Sequence, residues 1–503
     1  MTQQNSGPKS FHLLEATIDE LQRAIRAREV SARELVQLYL NRIHAYDGED
    51  GPNINSIISI NPKALEEADK LDAALSTTGS VGPLHGVPVI LKDQIDAVGM
   101  PTTLGSVLLK DYYPDRDAFI VEKLKKAGAI MLAKATLGEL GGGDTYGTLF
   151  GFTRNPYGLD RTVGGSSGGP AASVSANFAA VAVGQEGFAS IRRPSGWNCI
   201  VGMRPTPGLV SRSGSTGGWP NTIGSLGPMC RTVEDLATLL DVLVGYDPDD
   251  PITALGVGQT PIPYTSFLDK RGLERARIGI IREAMGYQSE PDSEDFKKVS
   301  SVFDSAVAEL EKAGAKVVDP IVIPQMKELL AKRSSSGGGD ADEGWNVYAG
   351  RSKHYPFKSR QEMLATPGYT PRRSGNVLTA NTNYYEYLLA REKLMFNVFR
   401  VMADHELDAI VHKTVEHQPN LISEGLNPPY TNLKGAPHIN TFLGYVASLS
   451  VPCGFTTDNL PVGISFFGRP YSEGTMIKLA YAYEQVTMHR RPPSTTPPLP
   501  GEP

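Results

Sequence analysis

Apolar positions recur every three or four residues over 17–45. Ile18, Leu21 and Ile25 form one stripe, and Val36, Leu40 and Ile43 form another. Two amphipathic helices are therefore predicted at about 15–45. Each opens on a capping box, Thr17-x-x-Glu20 and Ser31-x-x-Glu34, in which a hydroxyl and a carboxylate satisfy orphan amides of the first turn. The pattern then changes. Val87-Pro-Val-Ile-Leu91 and Ala129-Ile-Met-Leu-Ala133 are short unbroken apolar runs, as expected for strands buried on both faces. Between them, 117–127 has helical spacing and Gly128 stops it. Strand, helix, strand with apolar strands implies a largely parallel or mixed sheet covered by helices. Later, 232–244 and 474–486 read as helices, and 278–281, 409–411 and 464–467 as strands. The run Asp247-Pro-Asp-Asp-Pro251 reads as a turn, and there is no internal repeat.

Two stretches depart from this rhythm. Residues 141–215 are rich in Gly and Ser, yet apolar runs such as Ala179-Ala-Val-Ala-Val183 interrupt them, so they are not a flexible linker. Residues 333–376 hold few aliphatics but include Trp345, Tyr348, Tyr355 and Tyr369. Such a segment is either a lid, whose aromatics would cap a substrate, or a variable surface insertion.

Composition narrows the class. The chain has 503 residues, a length that corresponds to about two to four domains at roughly 100–200 residues each. Lys and Arg total 49 against 55 Asp and Glu, a net charge of −6, which argues against nucleic acid as the main partner. No run of 18 apolar residues predicts a membrane span. The start, MTQQNSGPKSFHLLEATIDELQ, lacks the basic region and apolar core of a secretory leader. Cys199, Cys230 and Cys453 are far apart and odd in number, which fits a reducing compartment. The expected location is cytoplasmic. Among nine His there is no HExxH and no strong metal spacing, so neither a metal nor an organic cofactor is expected.

The candidate chemistry centres on Gly164-Gly-Ser-Ser-Gly-Gly169. A phosphate-cradling loop would end in Gly-Lys-Ser/Thr, whereas Pro170 follows here. Gly164-x-Ser166-x-Gly168 and Gly165-x-Ser167-x-Gly169 each match a nucleophile elbow, which requires a later histidine; His405, His412, His417 and His438 are candidates. A third reading holds these serines against a distant base. Lys92 directly follows the apolar run 87–91. Drawn into the interior, it would favour its neutral form and serve as a general base near neutral pH. Otherwise it ends the strand and snorkels to water.

The segment GGSSGGPAASVSANFAAVAVGQEGFASIRRPSGWNCIVGMRPTPGLVS, 164–211, resembles the signature of the amidase signature family. Val87-Pro-Val-Ile-Leu-Lys-Asp93, Gly128–Leu140, Gly227-Pro-Met-x-Arg-Thr-Val-Glu-Asp-Leu236, Val451-Pro-Cys-Gly-Phe455 and Leu460-Pro-Val-Gly-Ile464 are similar to other parts of that family. The resemblance implies an α/β fold: a single α/β/α sandwich around a large mixed β-sheet, in place of several domains. It implies a Ser–cis-Ser–Lys triad, with Ser190 as nucleophile, Ser166 as the bridging serine after a cis bond, and Lys92 as base. Amides of Gly187, Phe188, Ala189 and Ser190 would hold the oxyanion. Ser167, Glu186 and Arg192 would support these groups. Leu140, Gly141, Gly142 and Gly143 would line the substrate channel, with Asp144 and Tyr146 nearby. Taken without the resemblance, Ser190 reads first as a helix N-cap.

The chain departs from the family at one point. The common form Gly-Thr-Asp-Thr-Gly-Gly-Ser is here Gly184-Gln-Glu-Gly-Phe-Ala-Ser190. If the replaced glycines require positive φ, Phe188 is strained; its ring would also shape the acyl pocket. The activity implied is hydrolysis of a carboxylic amide, or of a related anilide or carbamate (urethane), through an acyl-enzyme. The partner is a small-molecule amide, and the chain works alone or as a homodimer. Two alternatives stay open. One is an amidotransferase subunit that frees ammonia from glutamine; the 184–190 stretch and the 333–376 insertion speak against it. The other is an inactive binding protein of the same fold, which the intact Lys92, Ser166 and Ser190 oppose.

Overall fold

The computed structural model describes residues 11–216, 224–260, 262–335, 341–369, 383–426 and 433–503. Parts of the 333–376 segment, 336–340 and 370–376, lie outside them.

The two N-terminal helices form at Ile18–Ala27 and Ala32–Tyr46, and both capping boxes close. Among the described residues one mixed sheet of 11 strands organises the chain. Across it run Ile57–Ile60, Ile130–Ala135, Pro88–Lys92, Val181–Glu186, Ser225–Cys230, Val201–Arg204, Ser448–Phe455, Pro461–Phe467, Ala409–Lys413, Arg277–Ile280 and Lys316–Val318. Pro88–Lys92 is parallel to both neighbours, and so is Arg277–Ile280. The remaining pairings are antiparallel. Every residue of Pro88–Lys92, Val181–Glu186, Ser225–Cys230 and Pro461–Phe467 is buried. Successive strand side chains point to opposite faces, so both faces of the sheet are covered.

The expected helices form at Phe119–Lys126, Val233–Leu243 and Glu473–Thr487. Further elements complete the fold. Val201–Arg204 and Ser225–Cys230 are short and buried. The long helices Glu294–Lys312 and Tyr384–Asp404 flank the aromatic segment. All three cysteines are buried free thiols. Among the described residues no helix is long and apolar enough to cross a membrane.

The aromatic segment is partly packed. It contains helices Ala341–Ala349 and Arg360–Leu364. Trp345, Tyr348 and Met363 are buried with Leu104, Leu109 and Tyr112, and Leu140 and Tyr355 pack against that cluster. Tyr348 donates its hydroxyl to Asp96 Oδ1 at 2.8 Å. Three of the four aromatics expected to cap a substrate therefore serve as core for the segment itself. Tyr369 instead reaches the glycine-rich region, donating to Glu139 Oε1 at 2.8 Å.

Candidate active site

Pro88–Lys92 and Val181–Glu186 lie side by side in parallel in the interior of the sheet. Their C-terminal ends therefore point the same way, and Lys92 is the last residue of one of them. Its side chain is fully buried rather than snorkelling to water. Nζ donates to Ser166 Oγ at 2.7 Å and to Gln185 O at 3.3 Å. Burial, against an opposing pull from the Glu186 carboxylate, holds the Lys92 pKa well below the ordinary lysine value. An ammonium in an apolar site loses its hydration, so the neutral amine is favoured.

The Gly165–Ser166 peptide bond is cis. Ser166 Oγ donates to Gly141 O at 2.9 Å, and Gly138 N donates to Ser166 O at 3.0 Å. A Cβ on Gly165 would run into the Gly143 carbonyl. The 141–143 glycines thus cradle the Ser166 loop, and Gly141 adopts a φ of 84° that favours glycine. Leu140 packs against the aromatic cluster. Asp144, whose backbone lies against Gly165, forms an ion pair with buried Arg193 and accepts from Thr162 Oγ1 at 3.2 Å. Tyr146 lies in a small two-stranded ribbon with Phe152.

Helix Gly168–Ser175 follows the loop and is entirely buried. Gly168 presses on Thr145 and Gly169 on Thr136 so closely that neither has room for a side chain. These glycines serve backbone packing and leave no cradle for a phosphate. Ser167 is also committed to structure. Its Oγ donates to Gln185 O at 3.0 Å and accepts from Gln185 N at 3.2 Å.

Ser167 N donates to Ser190 O at 3.0 Å, which brings residue 190 beside Ser166. Ser190 is half-buried, and no hydrogen bond engages its hydroxyl among the described residues. It does not cap the helix Arg192–Trp197, whose N-cap is Ile191 without a side-chain cap. Glu186 does that work instead. Its Oε2 accepts from the amides of Ile191 and Arg192, each at 2.9 Å, and Oε1 accepts from Arg192 Nε at 2.9 Å. Burial alone would raise the Glu186 pKa, but the Arg192 and Arg204 charges and these hydrogen bonds bring it below the ordinary value. Arg192 also donates to Phe188 O at 3.3 Å.

Between Glu186 and Ile191, the amides of Phe188, Ala189 and Ser190 enter no hydrogen bond among the described residues. Neither Gly187, Phe188 nor Ala189 has positive φ. The expected strain at Phe188 is therefore absent, because the backbone here never enters the left-handed region. The half-buried Phe188 ring lies under the Arg333 guanidinium, 4.3 Å from Cζ to the ring centroid.

The four candidate histidines sit elsewhere. His405 ends the helix Tyr384–Asp404. His412 is buried in a strand, its Nδ1 paired with Lys413 O at 2.7 Å. His417 is tied to Ser289 O, and His438 borders the pocket that Arg333 also lines. None of them hydrogen-bonds Ser166 or Ser167 among the described residues, whereas Lys92 does contact Ser166. Gln185, whose carbonyl receives both Lys92 and Ser167, and Arg333 were not foreseen. Backbone acceptors leave no mark in a sequence, and Arg333 lies far from the loop it touches.

The sequence matches the amidase family over residues 34–477. It is 34% identical to a Glutamyl-tRNA(Gln) amidotransferase subunit of Gloeothece citriformis, over 95% of this chain and 99% of the relative. Among solved structures, native peptide amidase from Stenotrophomonas maltophilia superposes with a TM-score of 0.84 at 33% identity, covering 96% of this chain and 99% of that one. The corresponding Glutamyl-tRNA(Gln) amidotransferase subunit from Thermotoga maritima superposes at 0.73 with 28% identity, covering 99% and 100%.

Proposed function

The chain belongs to the amidase family, and from that premise we propose that it is an amidohydrolase that cleaves a carboxylic amide without partner subunits. The contact between buried Lys92 and Ser166, 2.7 Å long and adjacent to Ser190, carries this reading. Neutral Lys92 takes the Ser166 proton as that hydroxyl turns from Gly141 O, and Ser166 takes the Ser190 proton. A serine hydroxyl is a weak nucleophile until a base removes its proton. Ser190 Oγ then bonds to the amide carbon. The developing oxyanion meets the unpaired amides of the 188–190 turn, which need no reorganisation to receive it. The proton returns along the same relay to the leaving nitrogen as the C–N bond breaks. Water, deprotonated by the same chain of groups, attacks the acyl-Ser190 ester and releases the carboxylic acid.

Similarity to peptide amidase, with 33% identity and a TM-score of 0.84, supports a primary carboxamide as substrate; anilides and carbamates are further members of the same bond class. Ammonia release from simple carboxamides by the purified chain alone tests the proposal. Turnover is expected, together with fluorophosphonate labelling of Ser190. Absence of both would overturn the reading. Similarity to the amidotransferase relatives, at 34% identity, favours a second reading, in which the chain is one component of an amidotransferase. That reading requires glutamine hydrolysis to appear only when the other components are added.

A further inference from the structure

The structure holds an open pocket of about 520 Å³ that Arg333, the residue stacked on Phe188, helps to line. Met285, Tyr287, His438 and Arg333 contribute to its wall, and Glu283 and Lys327 also border it. Glu283 and Lys327 are exposed, so water and salt screen their charges. Glu416 lies behind the wall, with its carboxylate occupied by the amides of Met285 and Gly286 at 2.7 and 2.8 Å. The inner charge is therefore that of Arg333. Its Nε donates to Thr441 Oγ1 at 3.1 Å, and one face of the guanidinium covers Phe188. Among the described residues no carboxylate pairs with it. A guanidinium carries five N–H donors in a planar fork suited to a carboxylate, so most of this fork is available to a ligand. Phe188 is two residues from Ser190, and two residues span at most about 7 Å.

We infer that this pocket receives a carboxylate at the end of the substrate remote from the scissile amide, held by Arg333. The inference rests on the amidohydrolase reading and narrows it: the substrates are amides that carry a negative charge several bonds from the carbonyl attacked. Phe188 contributes by holding the guanidinium in place, which reduces the entropy lost on binding.

The test compares adipamate and pimelamate, which carry a carboxylate at one end and a primary carboxamide at the other, with neutral hexanamide and heptanamide. For the unsubstituted chain, kcat/KM should favour the charged member by about 10- to 100-fold, the range for a hydrogen-bonded charge pair. Arg333→Met should bring that ratio to about one, and Arg333→Lys should restore part of it, as a point charge without the fork does. A ratio at or below one in the unsubstituted chain, or a ratio unchanged by Arg333→Met, overturns the inference. Any general disturbance of the Phe188 turn cancels within each ratio. If neutral amides are cleaved without charge preference, this inference alone fails. If no amide is cleaved, the amidohydrolase reading fails, and calorimetric binding of adipate decides this one. Adipate should bind and should weaken about 10-fold or more in Arg333→Met; equal binding or none overturns it.

Discussion

Lys92 Nζ and Ser166 Oγ stand 2.7 Å apart, although 74 positions separate them in the chain. Burial lowers the Lys92 pKa well below 10.5. The amine therefore stays unprotonated to a lower pH than a solvated lysine would. Activity should be full above that lowered pKa and fall as pH drops through it. A pH profile of kcat/KM should show an acid limb centred below 10.5; a limb at the ordinary value, or a flat profile, contradicts the role. Lys92→Met should cost about 10²- to 10⁴-fold in kcat, the usual size of a lost general base.

Ser190 and Ser166 should differ in what their loss removes. Ser190→Ala should abolish fluorophosphonate labelling and lower turnover by about 10⁴-fold or more. Ser166→Ala should slow labelling while leaving Ser190 as the residue modified. Mass spectrometry of the labelled peptide distinguishes the two, and label found on Ser166 or Ser167 would count against the relay.

Glu186 and Arg192 form a buried pair whose side chains are 0% and 3% exposed. Removing one partner leaves the other charge buried and unpaired, at a cost of about 3–5 kcal/mol. Arg192→Met should lower the denaturation midpoint accordingly. It should also reduce kcat, because Glu186 holds the amides that follow Ser190. Loss of stability with kcat unchanged would show that the 188–190 turn keeps its shape without the pair.

Trp345 is 7% exposed and lies in the cluster that seats the aromatic segment on Leu104, Leu109 and Tyr112. Trp345→Ala should destabilise by about 3–5 kcal/mol if the cluster unfolds with the rest of the protein. Chemical denaturation, combined with proteolysis of the segment, checks this. A change below about 1 kcal/mol, within the ordinary range for surface substitutions, would mean that the segment opens independently.

Asp235 and Glu484 are carboxylates raised by burial, to about 7 and about 8. Each accepts a backbone amide, from Ile18 and Val233 respectively. The folded state binds their protons more tightly than the unfolded chain does. Their favourable contribution is therefore present below the ordinary carboxylate range and is lost as pH rises through the folded values. Thermal stability should decline from about pH 5 to 8. Asp235→Asn should flatten the decline, since an amide oxygen still accepts from Ile18. An unchanged slope would refute the assignment.

Much of the local structure is legible along the chain. Thr17 and Glu20, or Ser31 and Glu34, reach each other across one helical turn, so both capping boxes can be read without the fold. Runs such as Val87–Leu91 announce buried strands because no polar residue interrupts them. The family motif marks Lys92, Ser166 and Ser190. What the motif does not carry is the division of labour around them. Ser167 pairs with a backbone carbonyl, Gly141 receives the Ser166 hydroxyl, and Glu186 takes the amides an N-cap serine would take.

The sequence by itself determined the helices with caps and the apolar strands, because those signals lie within a few positions, and its family-like segments 87–93 and 164–211 pointed to Lys92, Ser166 and Ser190. Only the tertiary structure decided that Lys92 is buried at the end of an interior parallel strand, that Trp345, Tyr348 and Tyr355 pack with Leu104, Leu109 and Tyr112, and that Arg333 covers Phe188. Those outcomes depend on the order of strands across the sheet. That order is set by contacts between distant segments, and no local pattern of apolar and polar residues encodes it.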